Sequence, residues 1–301
     1  MARLFCFGLG YSARHFVAGF GARFDGVVGT VRTSDKAARL AKIPSGGPLF
    51  DTIVFDGQNA SPDLETGLAQ ADAVLVSIPP TAAGDPVLQT FAGALRASRA
   101  AQIVYLSTVG VYGDHGGAVV DETTAPQPVS WRSQGRLAAE AAWQELGARM
   151  RVPVTVLRLA GIYGPGQNAL VNLLAGRARR IVKPGQVFNR IHVADIGQAI
   201  DAAITQRASA IYNATDDEPA PPQDVVAFAA ALLGLDPPAE IPFDVAARTM
   251  TPMAISFYGE NKRVRNHRLK TGLGVTLRYP TYREGIRALY DAGDFRLASL
   301  S

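Results

Sequence analysis

Cysteine is almost missing from this chain: Cys6 is the only one in 301 residues. That excludes a disulfide framework and a cysteine-based zinc site, and it suits a reducing compartment. Charge is sparse as well, with 19% charged residues and a formal net charge of +4. This balance does not by itself argue for a nucleic-acid partner. No apolar run approaches the roughly 20 residues that cross a bilayer as a helix. The short apolar run at the start passes straight into glycines, so no secretory leader is expected. The histidines, His15, His115, His192 and His267, are scattered and lack ligand-spaced carboxylates, so no metal is expected. Repeats and low-complexity tracts are also absent. These absences point to a cytoplasmic protein without membrane or nucleic-acid partners. What is abundant is hydrophobic sequence, 48% of the chain, enough for a substantial core in one large domain or in two sharing a sheet.

The stretch at residues 3–14 organises the rest. Residues 3–7 form an apolar run without polar alternation, as in a strand buried on both faces. The run breaks at Gly8-Leu9-Gly10, and a helical segment is expected over 12–24. The spacing is Gly8-x-Gly10-x-x-Ala13. A strand, a glycine turn and a helix start together make a dinucleotide-binding turn. Unpaired N–H groups and the positive dipole end face a diphosphate there, and the glycines admit it. Gly8, Gly10, Tyr11, Ser12 and Ala13 are therefore assigned to the cofactor, with an ordinary glycine turn as the alternative.

Strand-like runs recur at 26–31, 52–55, 73–78, 102–106 and 154–159. Ala-rich helical segments at 34–42, 62–70, 85–100 and 133–149 alternate with them. This alternation predicts a Rossmann-type, doubly wound parallel α/β sheet with right-handed crossovers. Ligands on such sheets lie at the carboxyl ends of the strands. After the second strand stand Arg32 and Thr33, where an NAD-selective protein usually places an acidic residue. Arginine there suits the 2′-phosphate of NADP, with NAD as the alternative cofactor and a solvated loop arginine as the bland one. Asp56 follows the third strand, either accepting from the adenine amino group or serving a turn. Ile78, Pro79 and Pro80 follow the fourth and form a rigid wall along the cofactor. Ser107 and Thr108 follow the fifth, beside the expected nicotinamide.

Beyond residue 160 the pattern loosens. A turn-rich loop at 161–168, a short strand into a helix at 195–206, a strand at 209–213 and a helix at 221–233 are expected. Region 236–260 reads as irregular, and its residues 252–258 as an apolar pocket wall. The division expected is a cofactor-binding domain over 1–160, rejoined by 191–213, and a smaller substrate lobe over 161–190 and 214–301. Two basic clusters, Arg177, Arg179, Arg180 and Lys183, then Lys262, Arg263, Arg265, Arg268 and Lys270, read as solvated faces or as phosphate contacts. Neither carries the aromatic interleaving of a nucleic-acid platform.

Taken together, the chain resembles the short-chain dehydrogenase/reductase superfamily in its extended, NAD-dependent epimerase/dehydratase-like branch. The carrying motifs are the glycine turn, Ser107-Thr-Val-Gly-Val-Tyr-Gly113, Leu157-Arg-Leu-Ala-Gly-Ile-Tyr-Gly-Pro-Gly166 and Arg190-Ile-His-Val-Ala-Asp195. The tail segments Asn261-Lys-Arg-Val-Arg-Asn266 and Tyr279-Pro-Thr-Tyr-Arg-Glu-Gly285 are similar to the branch's C-terminal end.

The resemblance implies that Thr108 hydrogen-bonds the substrate oxygen. It also implies a Tyr-x-x-x-Lys pair that exchanges the proton and holds the nicotinamide ribose. Here the corresponding helix reads Trp131-Arg132-Ser-Gln-Gly-Arg136-Leu-Ala-Ala-Glu140, so Arg132 takes the tyrosine position and Arg136 the lysine position. An arginine can hold ribose hydroxyls, but it does not exchange protons near neutrality. This departure points to the atypical members of the superfamily. The catalytic candidates are Thr108, Arg136 and Tyr112, with Tyr163, Tyr258 and Ser130 as other hydroxyl donors. Leu159, Ala160 and Ile162 complete the expected cofactor contacts. Tyr163, Asn168, Arg190, His192 and Tyr258 join Thr108 as substrate residues. The expected function is an NADP-dependent oxidoreductase or epimerase-like enzyme for a small polar substrate, a sugar or nucleotide-sugar by family analogy. The alternative is a non-catalytic NADP(H) sensor. A homodimer is left open.

Overall fold

A computed structural model describes residues 2–41 and 50–295. Its centre is a seven-stranded sheet made of β1 (Arg3–Phe7), β2 (Gly26–Val31), β3 (Phe50–Val54), β4 (Ala73–Val76), β5 (Gln102–Thr108), β6 (Val154–Leu159) and β7 (Ile211–Ala214). The order across the sheet is β7-β6-β5-β4-β1-β2-β3, and all pairings are parallel. This is the Rossmann-type α/β fold that the alternation of elements predicts. The apolar run of β1 lies inside the sheet, between β4 and β2, and both of its faces are covered. Leu4 and Cys6 pack toward α1 (Tyr11–Phe20) and, on the same face, Ile196, Ala199 and Ile200. Phe5 and Phe7 pack toward Leu64, Phe91 and Trp143 on the other. Burial keeps the Cys6 thiol protonated, pushing its pKa well above the usual thiol range.

The crossovers run through α2 (Ser34–Ala41), α3 (Pro62–Ala69), α4 (Pro86–Ala97) and the long α5 (Trp131–Met150). Residue 42, the end expected for the second helix, lies outside the described residues. Ser61, Asp85 and Ser130 cap α3, α4 and α5 through their side chains. β5 runs to Thr108, beyond the 102–106 expected, whereas β4 stops at Val76, short of Ile78. The two prolines at 79–80 cannot donate to a neighbouring strand, and the chain leaves the sheet before them.

The rest of the chain forms α6 (Ala169–Leu174), α7 (Val193–Gln206), α8 (Pro222–Leu233), α9 (Phe243–Ala247), α10 (Pro252–Tyr258), α11 (His267–Gly272) and α12 (Tyr282–Asp291). α7 packs on α1, while α6, α8 and α12 enclose a separate apolar cluster with Leu170, Val225, Tyr282 and Ile286. Short parallel pairs join Gly161–Tyr163 to Arg190–His192 and Val119–Val120 to Arg263–Val264. Region 236–260 is more regular than the sequence suggests. Thr251 caps α10 and Pro252 occupies its first turn, a helix-start signal inside an otherwise proline-broken stretch. Among the described residues, no helix is long and apolar enough to cross a membrane.

Candidate active site

The strand order reverses between β1 and β4, which opens a crevice at their carboxyl ends. Gly8 leaves β1 with φ +93°, in the region that favours glycine. A Cβ there would lie 2.9 Å from both Ile78 Cγ1 and Ser77 Oγ. The turn is fixed by Gly8 N donating to Thr30 Oγ1 (2.8 Å), Leu9 N donating to Thr30 O (2.8 Å) and Ser77 Oγ donating to Gly8 O (2.6 Å). Thus β1, β2 and β4 together set the turn.

Gly10 is different. It begins α1 in ordinary extended backbone, φ −79°, ψ −167°, and a Cβ on it meets only Ser77 Oγ at 3.9 Å. No side chain caps α1 and its first turn contains no acid. An uncapped helix start facing open space, with glycine at its edge, fits a dinucleotide's diphosphate. Ala13 is fully buried, as its packing role requires, and Ser12 is buried beside it. The Tyr11 hydroxyl donates to Pro165 O (3.0 Å), tying the glycine turn to the loop after Gly161–Tyr163.

Arg32 is exposed directly after β2, and Thr33 Oγ1 accepts from Lys36 N (3.3 Å) at the start of α2. Asp56 is a turn residue here. Its Oδ1 accepts from Gln58 N and Asn59 N, its Oδ2 from Asn59 Nδ2, and these bonds hold its pKa below the usual carboxylate range. Pro80 lies against α5, 3.7 Å from where a Cβ on Gly135 would be. Ile78 and Pro79 stand beside it.

At the end of β5 the two hydroxyls diverge. Ser107 is buried and donates to Glu140 Oε1 (2.5 Å), so its side chain serves the interior rather than the crevice. Thr108 is half-buried and its Oγ1 accepts from Gly110 N (3.1 Å). Ser133 Oγ and Thr108 Oγ1 lie 3.0 and 3.4 Å from the point a Cβ on Gly110 would occupy, so both hydroxyls pack closely about Gly110. Ser130 Oγ donates to Ser133 Oγ (3.0 Å). Arg136 Nη1 donates to Leu106 O and to Tyr105 OH (3.3 Å). Burial pushes the Tyr105 hydroxyl up to about 12. Arg132 is exposed with its guanidinium 5.2 Å above the Trp131 ring.

Several expected site residues turn out to serve packing. Tyr112 is fully buried; its hydroxyl donates to Asn213 Oδ1 (2.8 Å), and burial raises its pKa, so it is not placed to exchange a substrate proton. Tyr163 packs in the α12 cluster, its hydroxyl over Gly285 and 3.5 Å from Thr281 O. Asn168 caps α6 through Oδ1 and donates Nδ2 to Gly164 O (2.9 Å), which uses both of its polar ends. Arg190 Nη1 donates to Phe188 O and Ala220 O. His192 caps α7 through Nδ1, and its buried Nε2 has no partner among the described residues. Tyr258 is buried between Phe188 and Phe243, while Met253, Ile255 and Phe257 of α10 stay exposed. Leu159 and Ala160 are buried at the end of β6, and Ile162 is exposed beyond them. The basic clusters are partly spent on structure. Arg180 pairs with Glu240, Lys183 donates to Tyr258 O, Lys262 donates to Gly113 O (2.6 Å), and Lys270 pairs with Asp217.

Nothing in the spacing of residues along the chain points to Asp216. It follows β7, buried beside Arg190, with Oδ1 accepting from Glu218 N (3.2 Å) and Oδ2 unpartnered among the described residues. Burial pushes its pKa up to about 8. The folded state therefore keeps a proton that the unfolded chain has released above its ordinary pKa of about 3.9. Stability falls as pH rises from there to about 8. His192, pushed down to about 4 by burial, works against this slope below 6.5. The clean window is 6.5–8.5, where wild type should lose stability to urea and Asp216→Asn should not. Parallel pH profiles for the two proteins would refute the assignment.

Comparison with known proteins bears on the family and the fold. Residues 88–215 match the family described as the NAD dependent epimerase/dehydratase family. Protein YeeZ of Escherichia coli (strain K12) is 31% identical over 251 residues, 79% of this chain and 86% of its own length. A 3-diazoavenalumate denitrifying reductase of Streptomyces sp is 29% identical over 204 residues, 64% of this chain and 66% of its length. A structure of a functionally unknown conserved protein from Silicibacter pomeroyi DSS is 42% identical with TM-score 0.85, covering 97% of this chain and 99% of that one. MoeE5 in complex with UDP-glucose and NAD, 22% identical with TM-score 0.74 over 99% and 100% of the two chains, shares the fold.

Proposed function

The chain belongs to the NAD dependent epimerase/dehydratase family, and from that premise we propose that it is a cytoplasmic NADP(H)-dependent oxidoreductase or epimerase-like enzyme. In this reading residues 1–160 with 191–213 hold the cofactor, and 161–190 with 214–301 cover the substrate. The observation that carries it is the uncapped start of α1 at Gly10, opening on the crevice between β1 and β4. A small polar substrate is supported by the Streptomyces relative's name as a reductase and by the UDP-glucose in the MoeE5 complex.

A bound nicotinamide would supply or accept the hydride. Gly8, Gly10 and the first turn of α1 would hold the diphosphate, Arg32 a 2′-phosphate, and Pro79 with Pro80 would stand beside the cofactor. Arg136 holds a ribose hydroxyl. Thr108 donates its hydroxyl hydrogen bond to the substrate oxygen where charge develops. Thr108→Ala should lower turnover by about 10²–10³, the usual loss of one such donor, with NADPH affinity barely changed. NADPH consumption over a panel of carbonyl compounds reads this. Full activity in the variant would remove Thr108 from the chemistry.

The cofactor choice is tested separately. A charge-assisted pair contributes about 1.5–3 kcal/mol, so Arg32→Ala should weaken NADP(H) tenfold or more and leave NAD(H) nearly unchanged. Equal calorimetric affinities for the two cofactors in wild type would sink the NADP reading. A second reading, a sensor that holds NADP(H) without turnover, is favoured by Arg132 standing at the family's tyrosine position. Micromolar NADPH binding with no turnover on the panel would select it.

A further inference from the structure

We propose that Tyr11 is a positioning residue: through its bond to Pro165 O, a diphosphate held at the start of α1 firms the loop that carries α6. The proposal rests on the cofactor reading above and extends it to the segment assigned to the substrate.

Tyr11 is the first residue of α1 and follows Gly10 directly. This turn is the least secured part of the helix. No side chain caps it, so its leading N–H groups lack a side-chain acceptor and await one from a ligand. Helix ends of this kind open at low cost. An anion that accepts from these groups closes the turn and fixes the direction in which Tyr11 leaves it.

The Tyr11 side chain carries that restraint to a remote part of the chain. Its hydroxyl donates to Pro165 O (3.0 Å), 154 residues away. The ring is flanked by His15, one turn along α1, edge-on with centroids 4.6 Å apart. Burial pushes the hydroxyl up to about 12, with the charge of Asp294 adding to the effect, so it stays a donor around neutral pH. The other side-chain bond of this turn, Arg14 Nε to Gly10 O (3.4 Å), remains within α1.

The receiving loop can pass the restraint on. Gly164 and Gln167 exchange two backbone bonds (3.0 and 3.1 Å) around Pro165. Asn168 Nδ2 donates to Gly164 O (2.9 Å), while its Oδ1 accepts from Val171 N (3.0 Å) and caps α6. Pro165 therefore sits in a closed turn that one side chain joins to α6, and α6 packs with α8 and α12. Gly164 permits the close approach. A Cβ there would lie 2.7 Å from the Tyr11 hydroxyl and 2.6 Å from Val193 Cγ1. A ligand that holds one end of such a chain shifts the other end toward its docked arrangement, and the coupling acts equally in both directions.

The experiment follows amide hydrogen exchange with and without saturating NADPH, in wild type and in Tyr11→Phe, which removes only the hydroxyl. In wild type, NADPH should slow exchange at the start of α1 and, by about fivefold or more, in residues 164–174. Tyr11→Phe should bind NADPH within about tenfold of wild type, as expected for the loss of one hydrogen bond. At saturation it should keep the slowing in α1 and lose most of it in 164–174. Four results would overturn the proposal. Wild type shows no slowing in 164–174, or the variant retains it in full. The variant exchanges faster there by the same factor with and without NADPH, which is what a purely structural bond gives. Or the variant loses NADPH binding altogether, which would assign the hydroxyl to the cofactor. Failure of wild type to bind NADPH or NADH, seen by calorimetry before any exchange is measured, refutes the cofactor reading itself and the proposal with it.

Discussion

Replacing Gly10 with valine should abolish cofactor binding while the protein stays folded. Gly10 has ordinary extended dihedrals that a β-branched residue adopts readily. Its Cβ would find only Ser77 Oγ, at 3.9 Å, so the protein without cofactor has room for the side chain. That room is the approach to the uncapped start of α1, where a diphosphate must come within hydrogen-bond distance of backbone N–H groups. Two added methyl groups there exclude it by sterics, a loss much larger than that of one contact. Gly8 makes the opposite case, since its φ of +93° and the nearby Ile78 mean that a side chain strains the turn itself. NADPH fluorescence together with a thermal melt checks the result. Wild-type fluorescence enhancement by a folded Gly10→Val protein would place the cofactor somewhere other than this turn.

The second large effect concerns stability. Arg158→Met should destabilise the fold by about 3–5 kcal/mol, the usual cost of leaving one member of a buried ion pair alone. Arg158 and Glu140 are 3% and 2% exposed. Arg158 Nη2 donates to Glu140 Oε2 (2.8 Å), Nε reaches both carboxylate oxygens (3.2 Å), and the guanidinium lies 4.8 Å over the Tyr112 ring. With Met at 158, Glu140 keeps only the Ser107 hydroxyl as a partner. Adding Glu140→Leu should recover most of the loss, because an apolar pair of similar volume often replaces a buried ion pair at little cost. Urea denaturation of the single and double variants decides. A loss below about 1 kcal/mol, or a double variant no more stable than the single, would show that the pair does not hold this region. The pair matters to the site because Ser107 precedes Thr108 and Glu140 lies one turn beyond Arg136. It fixes the end of β5 against α5.

What the sequence by itself determined is everything that depends on spacing along the chain. The apolar run at 3–7, the glycines at 8 and 10 and the alternation of short apolar runs with Ala-rich segments specify a parallel sheet. They also place the crevice at its carboxyl edge. The helix at 62–70 was legible as an Ala-rich segment, whereas α10 lies in a stretch that reads as irregular, although Thr251 and Pro252 open it as Ser61 and Pro62 open α3. Backbone geometry was legible: Gly8 and Gly10 form the turn between β1 and α1, Thr108 ends β5 and Arg136 lies within α5. Tertiary structure decided which polar side chains remain free to act. Tyr112, Tyr163, Asn168 and Ser107 lie in the right motifs, but each meets a partner distant in sequence or caps a local turn: Asn213 for Tyr112, the α12 region for Tyr163, Glu140 for Ser107. A hydroxyl or amide in a motif is chemically the same whether it faces a crevice or an interior acceptor. Only the packing of remote segments determines which, because a buried polar group must find a partner.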